Sequence, residues 1–262
     1  MVTIQNYIRA QSLEEAYQLN QSRKNKILGG MLWLRLGHGS IHTAIDLSDL
    51  GLDKIEESDT AFSIGAMTTL RAIEQHAGLN TYTNGAVRDA VCDIVGVQFR
   101  NMATIGGSIW GRFGFSDVLT VFLALDSYVE LYCGGIVPLE EFSKMPHDND
   151  ILVRLIVRKT PVKVRYLTMR SQRTDFPVLA CAVSCIQQEH RAVIGARPAK
   201  AVIVRDENAI LHGGITDDSV KAFAEYTAQR VPTASNVRGS AEYRTHLIKV
   251  LTERAARNLG GL

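Results

Sequence analysis

No run of about 18 consecutive apolar residues occurs in this 262-residue chain, so no transmembrane helix is expected. An excess of one charge is missing too. The 29 Lys and Arg nearly balance 27 Asp and Glu, leaving a formal net charge of +2 and no electrostatic case for nucleic acid or an anionic membrane. The opening segment MVTIQNYIRAQS lacks the basic-then-apolar order of a signal peptide, and a cytoplasmic location is expected. Cysteine is scarce: Cys92, Cys133, Cys181 and Cys185 form no C-x-x-C pair. Cys181 and Cys185 share one face of the strand-like run VLACAVSCI and read as buried small hydrophobes rather than cluster ligands. Disulfides are not expected in a reducing compartment.

The common nucleotide and hydrolase signatures are absent as well. There is no G-x-G-x-x-G after a strand and no Walker sequence, which argues against a Rossmann or P-loop site. There is no H-E-x-x-H; His38 and His42 flank Gly39 and Ser40 and read as loop histidines. No G-x-S-x-G elbow occurs, and Asp117, Asp126 and Asp175 are too far apart in sequence to be read as a carboxylate pair. No catalytic residue and no metal ligand is assigned.

What is present is an alternation of strand and helix signals over a composition that is 46% apolar and 21% charged, ordinary for a globular protein. Ser12 is placed to cap a helix from Leu13, with Glu15 completing a capping box. KIL then reads as a short buried strand entering Gly29-Gly30, and HTAIDLSDL as a further strand, so residues 1–50 look β-α-β-like. FSIGA is a strand, and Thr68 or Thr69 caps the helix LRAIEQH. Val87, Val91, Ile94 and Val95 recur at helical spacing. A helix runs to about Ala124, YVELYC is a strand, and a Gly134-Gly135 turn with PLEEF closes a hairpin-like segment. Toward the C-terminus, KVRYLTMRSQR, FPVLACAVSCI and RAVIGARPAKAVIV suit a three-stranded antiparallel sheet, followed by helices near 217–230 and 240–258. Three α+β sections are expected, at 1–58, 59–160 and 161–262.

Two glycine pairs carry the best functional signal. Gly29-Gly30 follows the KIL strand, and Gly106-Gly107 lies in the loop-like stretch NMATIGGSIWGRFGFSD. Glycine can turn φ positive and lets its N–H approach an anion, so consecutive glycines can form an anion-binding nest. Thr104 and Ser108 add hydroxyl donors beside the second pair, and Asp117 could accept from a ribose- or ribityl-type hydroxyl. Ordinary turn glycines satisfy the same pattern. The residues by themselves leave both readings open.

The order of motifs adds a resemblance. A strand and GG loop are followed by DLS, IGAMTTL, RNMATIGGSI, SD and LALD, then by RSQRTDFPVLACAVS and RGSAEYRTHLIKVLTERA. This order resembles the FAD-binding (medium) subunits of molybdenum hydroxylases, such as those of xanthine dehydrogenase and carbon monoxide dehydrogenase, over essentially the whole chain. The resemblance implies an α+β architecture. It pairs a PCMH/vanillyl-alcohol-oxidase-type FAD-binding fold of two subdomains with a C-terminal α+β domain like that of the carbon monoxide dehydrogenase flavoprotein. It implies that FAD is held by a first loop of Ile27, Leu28, Gly29, Gly30, Met31, Leu32 and Trp33. A second loop of Ala103, Thr104, Gly106, Gly107 and Ser108 joins it, with Asp117 on the ribityl or ribose side and Val153 near the flavin ring. Three positions depart from the pattern: Met31-Leu32 replace a polar pair, Ser108 replaces an Asn, and Leu167 stands where a Lys is usual.

The implied function is electron transfer. A molybdopterin-binding large subunit and a two-iron iron–sulfur small subunit would pass electrons to FAD in this hetero-oligomer subunit, and thence to NAD or another acceptor. The implied alternative, suggested by the three departures, is a non-catalytic assembly or scaffolding subunit that has lost FAD.

Overall fold

The computed structural model describes residues 2–261. Its strands are β1 (Val2–Arg9), β2 (Lys26–Leu28), β3 (Gly39–Asp46), β4 (Ile55–Glu57), β5 (Ala61–Gly65), β6 (Ser127–Leu131), β7 (Gly135–Pro138), β8 (Leu152–Arg158), β9 (Val162–Met169), β10 (Leu179–Ile186), β11 (Glu189–Gly195) and β12 (Val202–Arg205). Its α-helices are α1 (Leu13–Asn20), α2 (Leu70–Gln75), α3 (Ala77–Tyr82), α4 (Ala86–Val91), α5 (Val97–Arg100), α6 (Ile105–Gly111), α7 (Asp117–Leu123), α8 (Leu139–Lys144), α9 (Asp217–Arg230) and α10 (Ala241–Gly260). The chain divides into two compact units that alternate along the sequence. One comprises residues 1–72, 97–111 and 127–157, the other residues 73–96, 112–126 and 158–262.

The first unit begins with a parallel sheet in the order β1-β3-β2, which needs crossover connections; α1 supplies the first. Ser12 Oγ accepts the Glu15 N–H at 3.1 Å, as the sequence predicts. The Glu15 carboxylate reaches back to the Gln11 N–H at 2.7 Å, one residue before the position a capping box uses. Ala16 and Ala10 pack with Ile45, Leu47, Ile151 and Val153 beneath α1. The other sheet of this unit runs β4-β5-β8-β6-β7. Its β6–β7 hairpin is closed by Gly135–Pro138, not by PLEEF, whose Leu139–Phe142 part is helical in α8. Pro138 at the helix entrance, two acidic residues in the first turn and a 2.9 Å Lys144–Glu140 pair explain why. The His38–His42 stretch also differs from its loop expectation: His42 lies in β3, and its Nδ1 is 2.9 Å from Gln5 Oε1.

The second unit is built on an antiparallel sheet in the order β12-β11-β10-β9, with four strands where three are expected. The long RAVIGARPAKAVIV segment is broken into β11 and β12. Ala196 takes a φ of 56°, and Pro198 has no N–H to give a ladder. Helix α10 lies on β9 and β10, and α9 packs on α10. Val183, Ile194, Phe223, Ile248 and Leu251 fill the layer between them. Cys181 is fully buried in this layer, and burial pushes its thiol up to about 12, as suits an inert small hydrophobe; Cys185 is only partly buried.

Helix α4 ends at Val91, so Ile94 and Val95 fall outside the helix that their spacing predicts. Val95 sits at φ 51° and is 47% exposed. A β-branched side chain is costly in the left-handed region. Val95→Gly is therefore expected to stabilise the protein by about 1 kcal/mol, raising the melting temperature by roughly 2–4 °C in a thermal scan, because little packing is lost. An unchanged or lower melting temperature would show that the strain is relieved elsewhere.

Candidate functional site

β2 is short because only three residues can pair with β3 before two glycines intervene. Neither glycine pair is used for left-handed turns: none of Gly29, Gly30, Gly106 and Gly107 has positive φ. They serve close approach instead. A Cβ on Gly30 would lie 1.8 Å from the Met102 carbonyl oxygen, and one on Gly29 would lie 2.8 Å from Thr104 Oγ1. A Cβ on Gly106 would meet the Ala66 carbonyl at 2.6 Å. The first loop can thus lie directly on the segment that carries the second pair.

That second segment is not a loop. Residues 105–111 form α6, with Thr104 at its entrance. Every early N–H of α6 has a partner: Ile105 donates to Thr68 O, Gly106 to Ala66 O, Gly107 to Thr104 Oγ1 and Ser108 to Thr104 O. The Ser108 hydroxyl donates to the same Thr104 carbonyl at 3.0 Å. The second pair therefore acts as a floor rather than as a row of open donors. Gly107 is the exposed part of it, and a Cβ there would meet only Thr104 Oγ1, at 3.2 Å.

Open donors lie on the first loop. The N–H groups of Gly29, Gly30, Met31 and Leu32 donate to no protein group among the described residues. Met31 has a φ of 58°, a left-handed residue next to glycines, which bends successive N–H groups toward one concave side. Met31 also packs against the Leu28–Ile41–Ala44 cluster, and Leu32 is 8% exposed. The two apolar side chains that replace a polar pair are thus packed or buried rather than offered to a ligand.

Six of the sequence-predicted residues line one groove of about 1010 Å³ in this unit: Ile27, Leu28, Gly29, Thr104, Gly106 and Gly107. Gly30, Met31 and Leu32 belong to the same loop but do not line the groove, and Trp33 is 43% exposed at its end. Ala103 and Ser108 flank the lining residues of α6. Val153 is buried in the core under α1, and only its carbonyl leaves that core, accepting the Ala66 N–H at 2.9 Å. Asp117 lies in the second unit, 5% exposed at the start of α7. It pairs with Arg170 at 2.8 Å and accepts from the Tyr166 hydroxyl. Burial pushes its carboxyl up, against the opposing pull of Arg170 and Tyr166. Burial and the Asp117 carboxylate together push the Tyr166 hydroxyl well above its usual value. Leu167, the position without the usual Lys, packs on the sheet–helix layer. Tyr17 and His147 also line the groove, and sequence reasoning did not pick them out; Trp110 lines it too, one of the aromatic residues of the second glycine stretch that the sequence leaves between the flavin edge and a partner interface. For Trp110 the signal was available, since it stands three residues after Gly107 on what proves to be a helix.

The chain's sequence matches two known family models. Residues 2–160 match the FAD binding domain in molybdopterin dehydrogenase, and residues 165–259 match the CO dehydrogenase flavoprotein C-terminal domain. The chain belongs to the FAD-binding subunits of the molybdenum hydroxylase family. Its cofactor is FAD, and it is an oxidoreductase subunit with the two-part α+β fold that its motifs imply. Among curated relatives, the glyceraldehyde dehydrogenase medium chain of Sulfolobus acidocaldarius is 27% identical over 95% of this chain and 96% of its own. The xanthine dehydrogenase FAD-binding subunit of Escherichia coli O157:H7 is 25% identical over 97% and 95%. Among solved structures, reconstituted CO dehydrogenase from Oligotropha carboxidovorans superposes with a TM-score of 0.87, covering 99% of this chain and 98% of that one at 21% identity. That likeness bears on the fold alone.

The residues present fit FAD. A diphosphate needs N–H donors and a surface without side chains, and the Gly29–Leu32 N–H groups beside the bare Gly107 surface offer both.

Proposed function

We propose that this FAD-binding subunit relays electrons within a molybdenum-dependent dehydrogenase. A molybdopterin-binding large subunit and a two-iron iron–sulfur small subunit are its partners, and NAD or another acceptor takes the electrons onward. The proposed domains remain 1–58 and 59–160 for FAD binding and 161–262 at the C-terminus, and the proposed location is the cytoplasm. The observation that carries this reading is the set of unpartnered N–H groups on Gly29–Leu32 beside the open Gly107 floor. Bound FAD supplies both one-electron and two-electron chemistry, which suits a relay between a cluster and a hydride acceptor. The chain's own residues hold and orient it: main-chain donors take the diphosphate, the α6 floor excludes side chains, and Met31 and Leu32 fix the loop. The finer placement proposed at the outset, with Asp117 toward the ribityl hydroxyls and Val153 toward the flavin ring, remains part of this reading. So do the contacts of Gly30, Met31, Leu32, Trp33, Ala103 and Ser108.

The scaffolding alternative rests on Met31-Leu32 and Leu167, which remove polar side chains that relatives use. Each such hydrogen bond contributes about 0.5–1.5 kcal/mol, so two or three losses weaken FAD without removing the main-chain clasp. Absorbance separates the two readings. The purified protein is expected to show a flavin band near ~450 nm, as isolated or after incubation with FAD and desalting. No uptake at saturating FAD would favour the scaffold.

A further inference from the structure

We propose that Trp110 is a nucleobase platform of the groove and stacks on the adenine of FAD, a contact outside the family's motif pattern. The inference rests on FAD binding at the Gly29/Gly107 surface.

Gly107 and Trp110 are three residues apart on α6, which puts them on one face, and a helical side chain leans toward the N-terminus. The indole therefore leans back toward the bare Gly107 surface, and both residues line the same groove. Trp110 is half-buried and backed by Phe142, itself 1% exposed, with ring centroids 5.8 Å apart; His147 lies on another side at 6.3 Å. The ring is thus held in place before any ligand arrives, which spares the entropy of ordering it on binding.

Hydrogen-bond acceptors select which end of FAD lies here. His147 is followed by Asp148, Asn149 and Asp150, and all four line the groove. Tyr17, on the same groove, has its hydroxyl pKa pushed up chiefly by Cys133, then by burial, and least by the Asp150 and Asp148 carboxylates. Arg23 and Lys26 line the groove as well and balance these two carboxylates, so hydrogen bonding rather than net charge favours one end of FAD over the other. Adenine is neutral, presents a planar face, and its exocyclic amine donates to acceptors. Asn25 adds one such acceptor to the groove lining: its Nδ2 donates to Leu19 O at 2.7 Å, while its Oδ1 has no partner among the described residues. The adenine end fits this wall.

The test uses the full-length protein stripped of FAD, titrated calorimetrically with FAD, ADP and FMN. Trp110→Leu fills the space against Phe142 without an aromatic face, and Trp110→Phe keeps a smaller face. Leu is expected to weaken FAD and ADP by about 10-fold or more while leaving FMN unchanged, and Phe to recover most of the loss. ADP is also expected to quench wild-type tryptophan fluorescence, with the quench gone in Trp110→Phe. Unchanged ADP affinity in Trp110→Leu overturns the proposal, as does an equal loss for FMN. If Trp110→Leu fails to fold, wild-type fluorescence and Trp110→Phe decide alone: persistence of the quench in Trp110→Phe overturns the proposal. ADP binding at full affinity to FAD-loaded protein would assign the platform to a second dinucleotide and overturn it too. Failure of the wild type to take up FAD would instead defeat the reading on which the inference rests.

Discussion

Gly107→Val is expected to keep nearly full stability and lose FAD, whereas Gly30→Ala is expected to lose both FAD and about 3 kcal/mol of stability. The difference lies in what each new Cβ meets. At Gly107 the nearest atom is Thr104 Oγ1 at 3.2 Å, the end of a side chain that can shift by tenths of an ångström. The residue is inside α6, where glycine is itself a poor helix former, so valine's effect on stability stays within about 1 kcal/mol. Its methyl groups stand on the open groove surface beside the first loop, where a diphosphate would approach. At Gly30 the Cβ would be 1.8 Å from the Met102 carbonyl oxygen and 2.5 Å from its carbon. Both are backbone atoms, so the loop must lift, at a cost of about 3 kcal/mol, and its N–H groups lose their common aim. Thermal denaturation and the flavin-to-protein absorbance ratio after incubation with FAD read the two effects separately. Normal FAD content in Gly107→Val would show that the diphosphate lies elsewhere.

Much of this site was legible as position and little as mechanism. The glycine pairs stand out as places where backbone can approach closely, and it is the ordered motifs around them that place them in a family. What could not be read was how the glycines act. Anion-nest reasoning assigns their N–H groups to the ligand, but three-dimensional pairing gives the Gly106 donor to Ala66, far away in sequence, and the helix turn gives the Gly107 donor to the nearby Thr104 hydroxyl. Asp117 shows the same limit. A lone Asp after a Ser reads as a free acceptor, and its buried partners Tyr166 and Arg170 lie 49 and 53 residues further on. The strands and the two long C-terminal helices follow local periodicity and were readable. The errors fall at ends and breaks: the RPAK break between β11 and β12, the end of α4 at Val91, and the helix entered through Pro138. Those are places where a single φ value or a missing N–H overrides a pattern averaged over many residues.

Arg244, in the SAEYR signature, is expected to be among the most stability-critical side chains of the second unit, although it touches no groove. It is 1% exposed, and no carboxylate accepts from it. Its guanidinium donates instead to the carbonyls of Val178, Ala234 and Gly239 and to Asn236 Oδ1. A planar fork with five N–H groups can reach four acceptors on two segments at once; an ammonium cannot. Arg244 thereby ties the 234–239 loop to the entrance of β10. Three residues before Val178, the Asp175 carbonyl accepts from Arg170, which is the partner of Asp117. The Arg…Asp and SAEYR signatures thus meet on one short stretch of backbone, residues 175–178, which gives a physical reason for their appearing together. Arg244→Met keeps much of the volume but strands buried carbonyls, and is expected to destabilise by about 3–5 kcal/mol, lowering the melting temperature by roughly 10 °C. Arg244→Lys is expected to recover less than half of that loss, because it replaces a fork with a point donor. A lysine variant that melts with the wild type would show that charge alone, and not the fork, holds these segments together.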